Sequence, residues 1–128
     1  MAKILIVEDS ITNQEILKEV LKDVGLCICA STGLKAIELF NYALRTKEFY
    51  DVILLDIGLP EVSGMRLLHK IRMSEQKAGI LRGDGIPIIM VTASKDRFLE
   101  AYDKGCDDYV LKPINPTMLL SKITKYIP

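Results

Sequence analysis

An excess of charge of either sign is missing from this sequence. Its 128 residues carry 17 lysines and arginines against 17 aspartates and glutamates, which argues against a broadly basic nucleic-acid surface. No apolar run approaches the roughly 20 residues of a membrane span. The start, MAKILIVEDS, turns acidic too early for a signal peptide, so a cytoplasmic protein without membrane contact is expected. Histidine is nearly absent. His69 is the only one, and it lies in a helical stretch unrelated to Cys27 and Cys29. The spacing of these residues and Cys106 matches no common zinc pattern. Three cysteines cannot all pair within one chain, so buried free thiols are expected, with His69 a surface or packing residue. There is no internal repeat and no low-complexity stretch. A Gly-rich phosphate loop is also lacking after the first apolar run, where EDSITNQ stands, and this counts against flavin or nucleotide binding.

What is present is a 49% hydrophobic, 27% charged composition, that of one globular domain over residues 1–128. Short apolar runs alternate with helical patterns. Strands are predicted at 3–8, 26–31, 52–56, 87–91 and 109–112. Between them, Leu17, Val20, Leu21 and Val24 mark a first helix, with Thr12 to Glu15 as capping box and Gly25 as stop. Residues 33–46 read as a second helix, with Ile37, Phe40 and Leu44 on one stripe. Gly64 to about Arg72 form a third, using Leu67, Leu68 and Ile71. Phe98, Leu99 and Tyr102 mark a fourth, stopped by Gly105. Asn115 caps the last, which Pro116 starts, with Leu119, Ile123 and Tyr126 facing in. Residues 73–86 are expected to be a frayed helix end and a surface loop of unassigned role. Five strands alternating with five helices imply an α/β fold, a doubly wound parallel sheet in the order 2-1-3-4-5.

In DVILLDIGLP, four apolar residues run straight into Asp56. An unalternating run of this kind is a strand buried on both faces, and ligands of open parallel sheets bind beyond the carboxyl ends of the strands. That edge receives Glu8 and Asp9 from the first strand, Asp56 from the third, Thr92 from the fourth and Lys112 from the fifth. Asp51, Asp107 and Asp108 precede their strands and belong at the opposite edge, as solvated loop acids or turn and cap formers. Three clustered carboxylates repel, and one ammonium cannot balance them. A hard divalent cation can, and Mg²⁺ typically keeps several waters and open positions for phosphate oxygens. Glu8 and Asp9 suit the metal, Asp9 more directly. Asp56 suits the nucleophile of an aspartyl-phosphate, with Thr92 and Lys112 contacting phosphoryl oxygens. The bland alternative is a metal-free buried ion pair between Lys112 and Asp56.

ILIVEDS, VILLDIGLPEVSG, IIMVTAS and YVLKPI, in that order and spacing, resemble the receiver domain of two-component response regulators across essentially the whole chain. The resemblance implies a flavodoxin-like fold and a signalling domain rather than an enzyme acting on others. It implies that Asp56 takes a phosphoryl group from a phosphohistidine on a sensor histidine kinase or histidine phosphotransfer protein. Mg²⁺, or Mn²⁺ in its place, would be held by Glu8, Asp9, Asp56 and the carbonyl of Gly58. The N–H groups of Ile57 and Ala93 would join Thr92 and Lys112 on the phosphoryl group. Tyr109 matches the aromatic switch position: Thr92 would move toward the phosphoryl group and Tyr109 turn inward. The surface of the fourth helix, fifth strand and fifth helix would then change shape for an output protein, which the sequence does not name. The family usually has a cis bond before the residue matching Pro113, and here it would aim Lys112 back over the site.

Departures from the family pattern are mild. Leu59 stands where Met is common, a volume-conserving change. Gly58 and Ser94 occupy the positions that flank the phosphoryl group. Gly58 brings no side chain to shield that group from water, so the sequence sets no phosphate lifetime. Two rivals remain beside the phosphoacceptor. One is a receiver-like interaction module that works without phosphorylation. The other is a phosphatase with an aspartyl nucleophile, which commonly wants a second acid where Gly58 stands. Met1 and the end at KYIP fit a stand-alone regulator; a receiver cut from a hybrid kinase or larger regulator is the alternative.

Overall fold

The computed structural model describes residues 1–128. Strands β1 (Ala2–Val7), β2 (Gly25–Ala30), β3 (Val52–Leu55), β4 (Ile88–Thr92) and β5 (Asp108–Leu111) alternate with five helices. These are α1 (Ile11–Leu21), α2 (Gly33–Thr46), α3 (Gly64–Lys77), α4 (Phe98–Asp103) and α5 (Pro116–Ile123). The sheet is parallel throughout, in the order β2-β1-β3-β4-β5, as expected. β3 and β4 are buried along their whole length because helices cover both sheet faces. On one face α2, α3 and α4 close over a core of 19 buried residues that includes Leu5, Ile53, Leu68 and Met90. On the other, α1 and α5 cover 11, among them Ile4, Leu54, Leu17 and Ile123. Each fully buried Leu or Ile contributes roughly 1.5–3 kcal/mol of transfer free energy.

Several local expectations need correction. The α1 cap is Ser10, in extended backbone, whose Oγ accepts the Asn13 N–H; Thr12 is already in the helix. Gly25 does not stop α1, which ends at Leu21. It opens β2 instead, where a Cβ would lie 2.6 Å from the carbonyl oxygen of Ala2. α4 buries only Ala101, and its apolar residues Phe98, Leu99 and Tyr102 face outward. Tyr126 lies past the end of α5, half-buried, with its hydroxyl donating to the carbonyl of Asp107. Cys27 and Cys29 are half-buried rather than buried; Cys106 is buried, and all three are free.

The acids at the far edge make structural bonds, although Asp107 also stays exposed. Asp51 accepts the Lys3 N–H at 2.7 Å. Asp107 accepts the Ile88 N–H at 2.8 Å, fastening the start of β4. Asp108, inside β5, pairs with Lys122 at 2.7 Å and is held below the usual carboxylate range. Burial works to raise it, but the Lys122 ammonium, its neighbour's N–H and the Tyr126 hydroxyl together prevail.

The third helix runs five residues beyond Arg72, because that residue anchors its end. Arg72 Nε and Nη2 donate to the carbonyl of Gly105 at 3.0 and 2.7 Å. Nη1 donates to Glu75 and to the carbonyl of Ile86, both at 2.8 Å, and Nη2 also to Asp107 at 3.0 Å. Every guanidinium N–H is therefore engaged. Glu75, 4% exposed, takes the Ile86 N–H on its other oxygen. One side chain thus ties α3, the end of the 78–87 connection and the α4–β5 turn together.

Candidate functional site at the carboxyl edge of the sheet

Register places the site residues side by side. Val7 pairs with Leu55 across β1 and β3, so the residues that follow, Glu8 and Asp56, emerge next to one another. Thr92 pairs with Leu111, and the Lys112 N–H donates to the Thr92 carbonyl at 2.8 Å. Glu8, Asp56 and Thr92 are buried at 2%, 8% and 3% exposure, while Asp9 is exposed. Carboxylate oxygens of Glu8, Asp9 and Asp56 lie within 4.8 Å of one another, a spacing that one cation can bridge.

Lys112 Nζ bonds Glu8 Oε1 at 2.5 Å and Asp56 Oδ2 at 2.9 Å. Glu8 Oε2 accepts the Ser10 N–H, and Asp56 Oδ1 accepts the Gly58 N–H at 3.0 Å. Burial pushes the Glu8 carboxyl up, more than the Lys112 and Ser10 contacts bring it down. Burial alone would lower the Lys112 ammonium, but the two carboxylates beside it raise it. One ammonium against three carboxylates leaves the cluster negative and receptive to a divalent cation. Both oxygens of Glu8 and of Asp56 accept hydrogen bonds, whereas Asp9 faces solvent. The donor set is all oxygen, as a hard cation requires.

The Lys112–Asp56 ion pair of the bland alternative is therefore present, but it does not account for the cluster. It does not involve Asp9, whose carboxylate lies within 4.8 Å of the other two. Ile57 is buried and Ala93 exposed, each one residue past Asp56 or Thr92 in the loops that rim the edge. The bond between Lys112 and Pro113 is cis. Tyr109 is half-buried; its hydroxyl donates to the Ser94 carbonyl, and its ring meets Phe98 edge-on at 6.5 Å. Ser94 in turn donates its N–H to Thr92 Oγ1 at 3.3 Å, so Thr92, Ser94 and Tyr109 form one connected path.

Two supporting residues escape the sequence reading. Gln14 is buried in α1, and its Nε2 donates to the Glu8 carbonyl at 2.6 Å and to Ser31 at 3.1 Å. A polar residue at a core-facing helix position was its only signal. Gly64 opens α3 directly against the Asp56 loop, with its N–H on the Ile57 carbonyl at 2.9 Å. A Cβ there would lie 2.0 Å from the Asp56 carbonyl oxygen. The Ser-Gly pair ahead of an apolar helical pattern was the available clue.

Comparison with known proteins places this geometry. The response regulator receiver domain family matches residues 4–124. Chemotaxis protein CheY of Pseudomonas aeruginosa is 32% identical over 127 residues, covering 96% of this chain and 94% of that protein. Hybrid signal transduction histidine kinase I of Dictyostelium discoideum is 38% identical over 135 residues, covering 98% of this chain. The chain spans only 7% of that kinase's length. Among solved structures, response regulator TrrA of Thermotoga maritima, in complex with Mg²⁺ and BeF, superposes with a TM-score of 0.80 at 29% identity. That match covers 99% of this chain and 100% of TrrA. The family match runs from within β1 to past the end of α5 and takes in every residue of the carboxylate, hydroxyl and ammonium cluster, so this chain belongs to the response regulator receiver domain family.

Proposed function

We propose that this receiver domain accepts a phosphoryl group on Asp56 from a phosphohistidine, in a Mg²⁺-dependent step. The observation that carries the reading is the meeting of three carboxylates within 4.8 Å, with Lys112 Nζ 2.9 Å from Asp56. An isolated Lys–Asp pair needs no second and third acid. Glu8, Asp9 and Asp56 would hold Mg²⁺ together with the Gly58 carbonyl, Asp9 more directly than Glu8, which also bonds Lys112. When bound, the metal supplies charge neutralisation for the phosphoryl oxygens.

In the transfer an Asp56 oxygen forms a bond to phosphorus as the phosphorus–nitrogen bond to the donor histidine breaks. The electron pair stays on the imidazole nitrogen. Lys112 moves from the Asp56 carboxylate to a phosphoryl oxygen, and the Thr92 hydroxyl and the N–H groups of Ile57 and Ala93 donate to others. Such catalysis is mostly positioning and charge neutralisation. The donor is a sensor histidine kinase or histidine phosphotransfer protein, consistent with the hybrid kinases among the relatives.

Movement of Thr92 would pull on Ser94, whose carbonyl holds the Tyr109 hydroxyl. Tyr109 then serves as the switch that reshapes the surface of α4, β5 and α5 for an output protein. Phe98, Leu99 and Leu111 already lie exposed there.

Intact mass after incubation with acetyl phosphate, with and without Mg²⁺, tests the reading. A phosphoryl adduct should form on the parent only with Mg²⁺, and neither Asp56→Asn nor Asp9→Asn should acquire one at a comparable rate. Failure to gain an adduct, together with failure to bind beryllofluoride, would leave the phosphorylation-independent interaction module as the better reading.

A further inference from the structure

One sizeable cavity of the molecule lies away from Asp56. A pocket of about 730 Å³ opens between α3, the 78–87 connection and the α4–β5 turn, and its lining includes Met73, Leu81, Arg82, Tyr102 and Lys104. A second hollow continues it along α3 past Arg66 and Lys70, and the two share His69 and Lys104. Together they form a groove along the outer side of α3.

The charges along this groove are arranged against the helix's own stability. Some exposed helix charges elsewhere are paired, as in Lys18–Glu15, Lys22–Glu19 and Arg97–Glu100. Along α3 the only acid is Glu75, and Arg72 consumes it inside the protein. Arg66, Lys70, Lys77, Arg82 and Lys104 have no carboxylate partner. Arg66 lies in the first turn of α3, where a base opposes the helix dipole, and no acid balances it there. Arg66 and Lys70 are like charges four residues apart, which repel on one helix face. A chain of zero net charge thus keeps an uncompensated basic strip, beside apolar side chains that remain exposed: Met73 at 39%, Leu81 at 73% and Tyr102 at 42%.

We propose that this groove docks an acidic, amphipathic segment of a partner protein. Its carboxylates would meet Arg66, Lys70, Arg82 and Lys104, and its apolar side chains would cover Met73, Leu81 and Tyr102. A nucleic-acid backbone fits less well, because Asp103 and Asp107 stand among the basic lining residues and would repel phosphates. Arg72 takes no part in recognition, since all its donors are used in holding the groove's walls together. The docking is independent of the phosphoacceptor reading.

The test is amide-resolved NMR of the full chain titrated with a synthetic helical peptide bearing a glutamate face and a leucine face. A peptide with glutamine for glutamate, inorganic phosphate and a single-stranded oligonucleotide run in parallel. Shifts confined to α3, the 78–87 connection and the α4–β5 turn are expected with the acidic peptide. The double variant Arg66→Glu, Lys70→Glu should weaken binding about tenfold or more, while Asp56→Asn should leave it unchanged. Shifts scattered over the surface, equal binding by the double variant, or tighter binding of phosphate or the oligonucleotide at the same amides would each overturn the proposal. A folded far-ultraviolet spectrum of the double variant excludes unfolding as the cause of lost binding.

Discussion

Replacing Gly64 with alanine perturbs the site without touching any charge. The new Cβ would sit 2.0 Å from the Asp56 carbonyl oxygen and 2.6 Å from the Ile57 Cα, both fixed backbone. Ordinary contact begins at 3.4 Å, so the first turn of α3 or the Asp56 loop must withdraw by roughly 1.4 Å. Overpacking of this kind costs about 1–3 kcal/mol. Weakening the Gly64 N–H bond to the Ile57 carbonyl adds about 1 kcal/mol. Alanine's better helix propensity returns about 1 kcal/mol at most, because the position is at the helix start. The clash wins, by about 1–3 kcal/mol, against a total stability of about 5–15 kcal/mol.

Urea denaturation followed by circular dichroism measures this directly, and in a thermal scan the melting temperature should fall by about 4–12 °C. Phosphorylation by acetyl phosphate should slow as well, since the displaced loop carries Asp56. Gly58→Ala is the control: its nearest neighbour would be Asp56 Oδ1 at 3.8 Å, an ordinary contact. That variant should stay within about 0.5 kcal/mol of the parent. If Gly64→Ala were equally stable, the close approach of α3 to the Asp56 backbone would be refuted.

Two further outcomes follow from groups away from the site. Asp108 has a depressed carboxyl, so its stabilisation is present above its ordinary value of 3.8 and is lost as pH falls through its lower folded value. Asp108→Asn should therefore lower stability at pH 7 by about 1–2 kcal/mol and flatten the acid limb of a urea-midpoint profile. An unchanged acid limb would argue against the Lys122 pairing. Cys106 is 7% exposed, and burial pushes its thiol up to about 12. Native-state alkylation near pH 8 should spare it, as mass mapping would reveal, while labelling as fast as at Cys27 or Cys29 would refute its burial.

The sheet was legible because its chemistry is local. Runs such as Val52 to Leu55 are too short and too evenly apolar for anything but a doubly covered strand, and each site residue ends or follows such a run. α2 could be bounded at Gly33 and Thr46 because its apolar stripe is local to the segment, and the structure adds a Thr32 cap and a left-handed Lys47 at its ends. α3 was cut short because SEQK looks like a loop until Arg72 and the Ile86 N–H enclose Glu75, contacts that bridge distant segments. The same blindness hid the structural roles of Asp107 and Asp108. In α4 Phe98, Leu99 and Tyr102 marked the helix by their spacing, which left open which side is buried; the helix buries its Ala101 side. Periodicity locates an apolar face; it does not say whether this chain or another covers it.

The Arg72 hub also decides where this chain can grow. The 78–87 connection is fastened near its start by the Ile80 N–H on the Glu75 carbonyl and at its end by the Ile86 N–H on the Glu75 side chain. Residues 81–85 between these fastenings form a closed excursion whose two feet stand on one residue. Gly83 at its crest has nothing within 4 Å of where a Cβ would be. Doubling the length of such an excursion costs only about 0.6 kcal/mol of closure entropy. Extra sequence inserted there would load the fastenings rather than the strand ends where Asp56 and Lys112 meet. New specificity could thus accumulate at one end of the sheet while the chemistry at the other is inherited intact.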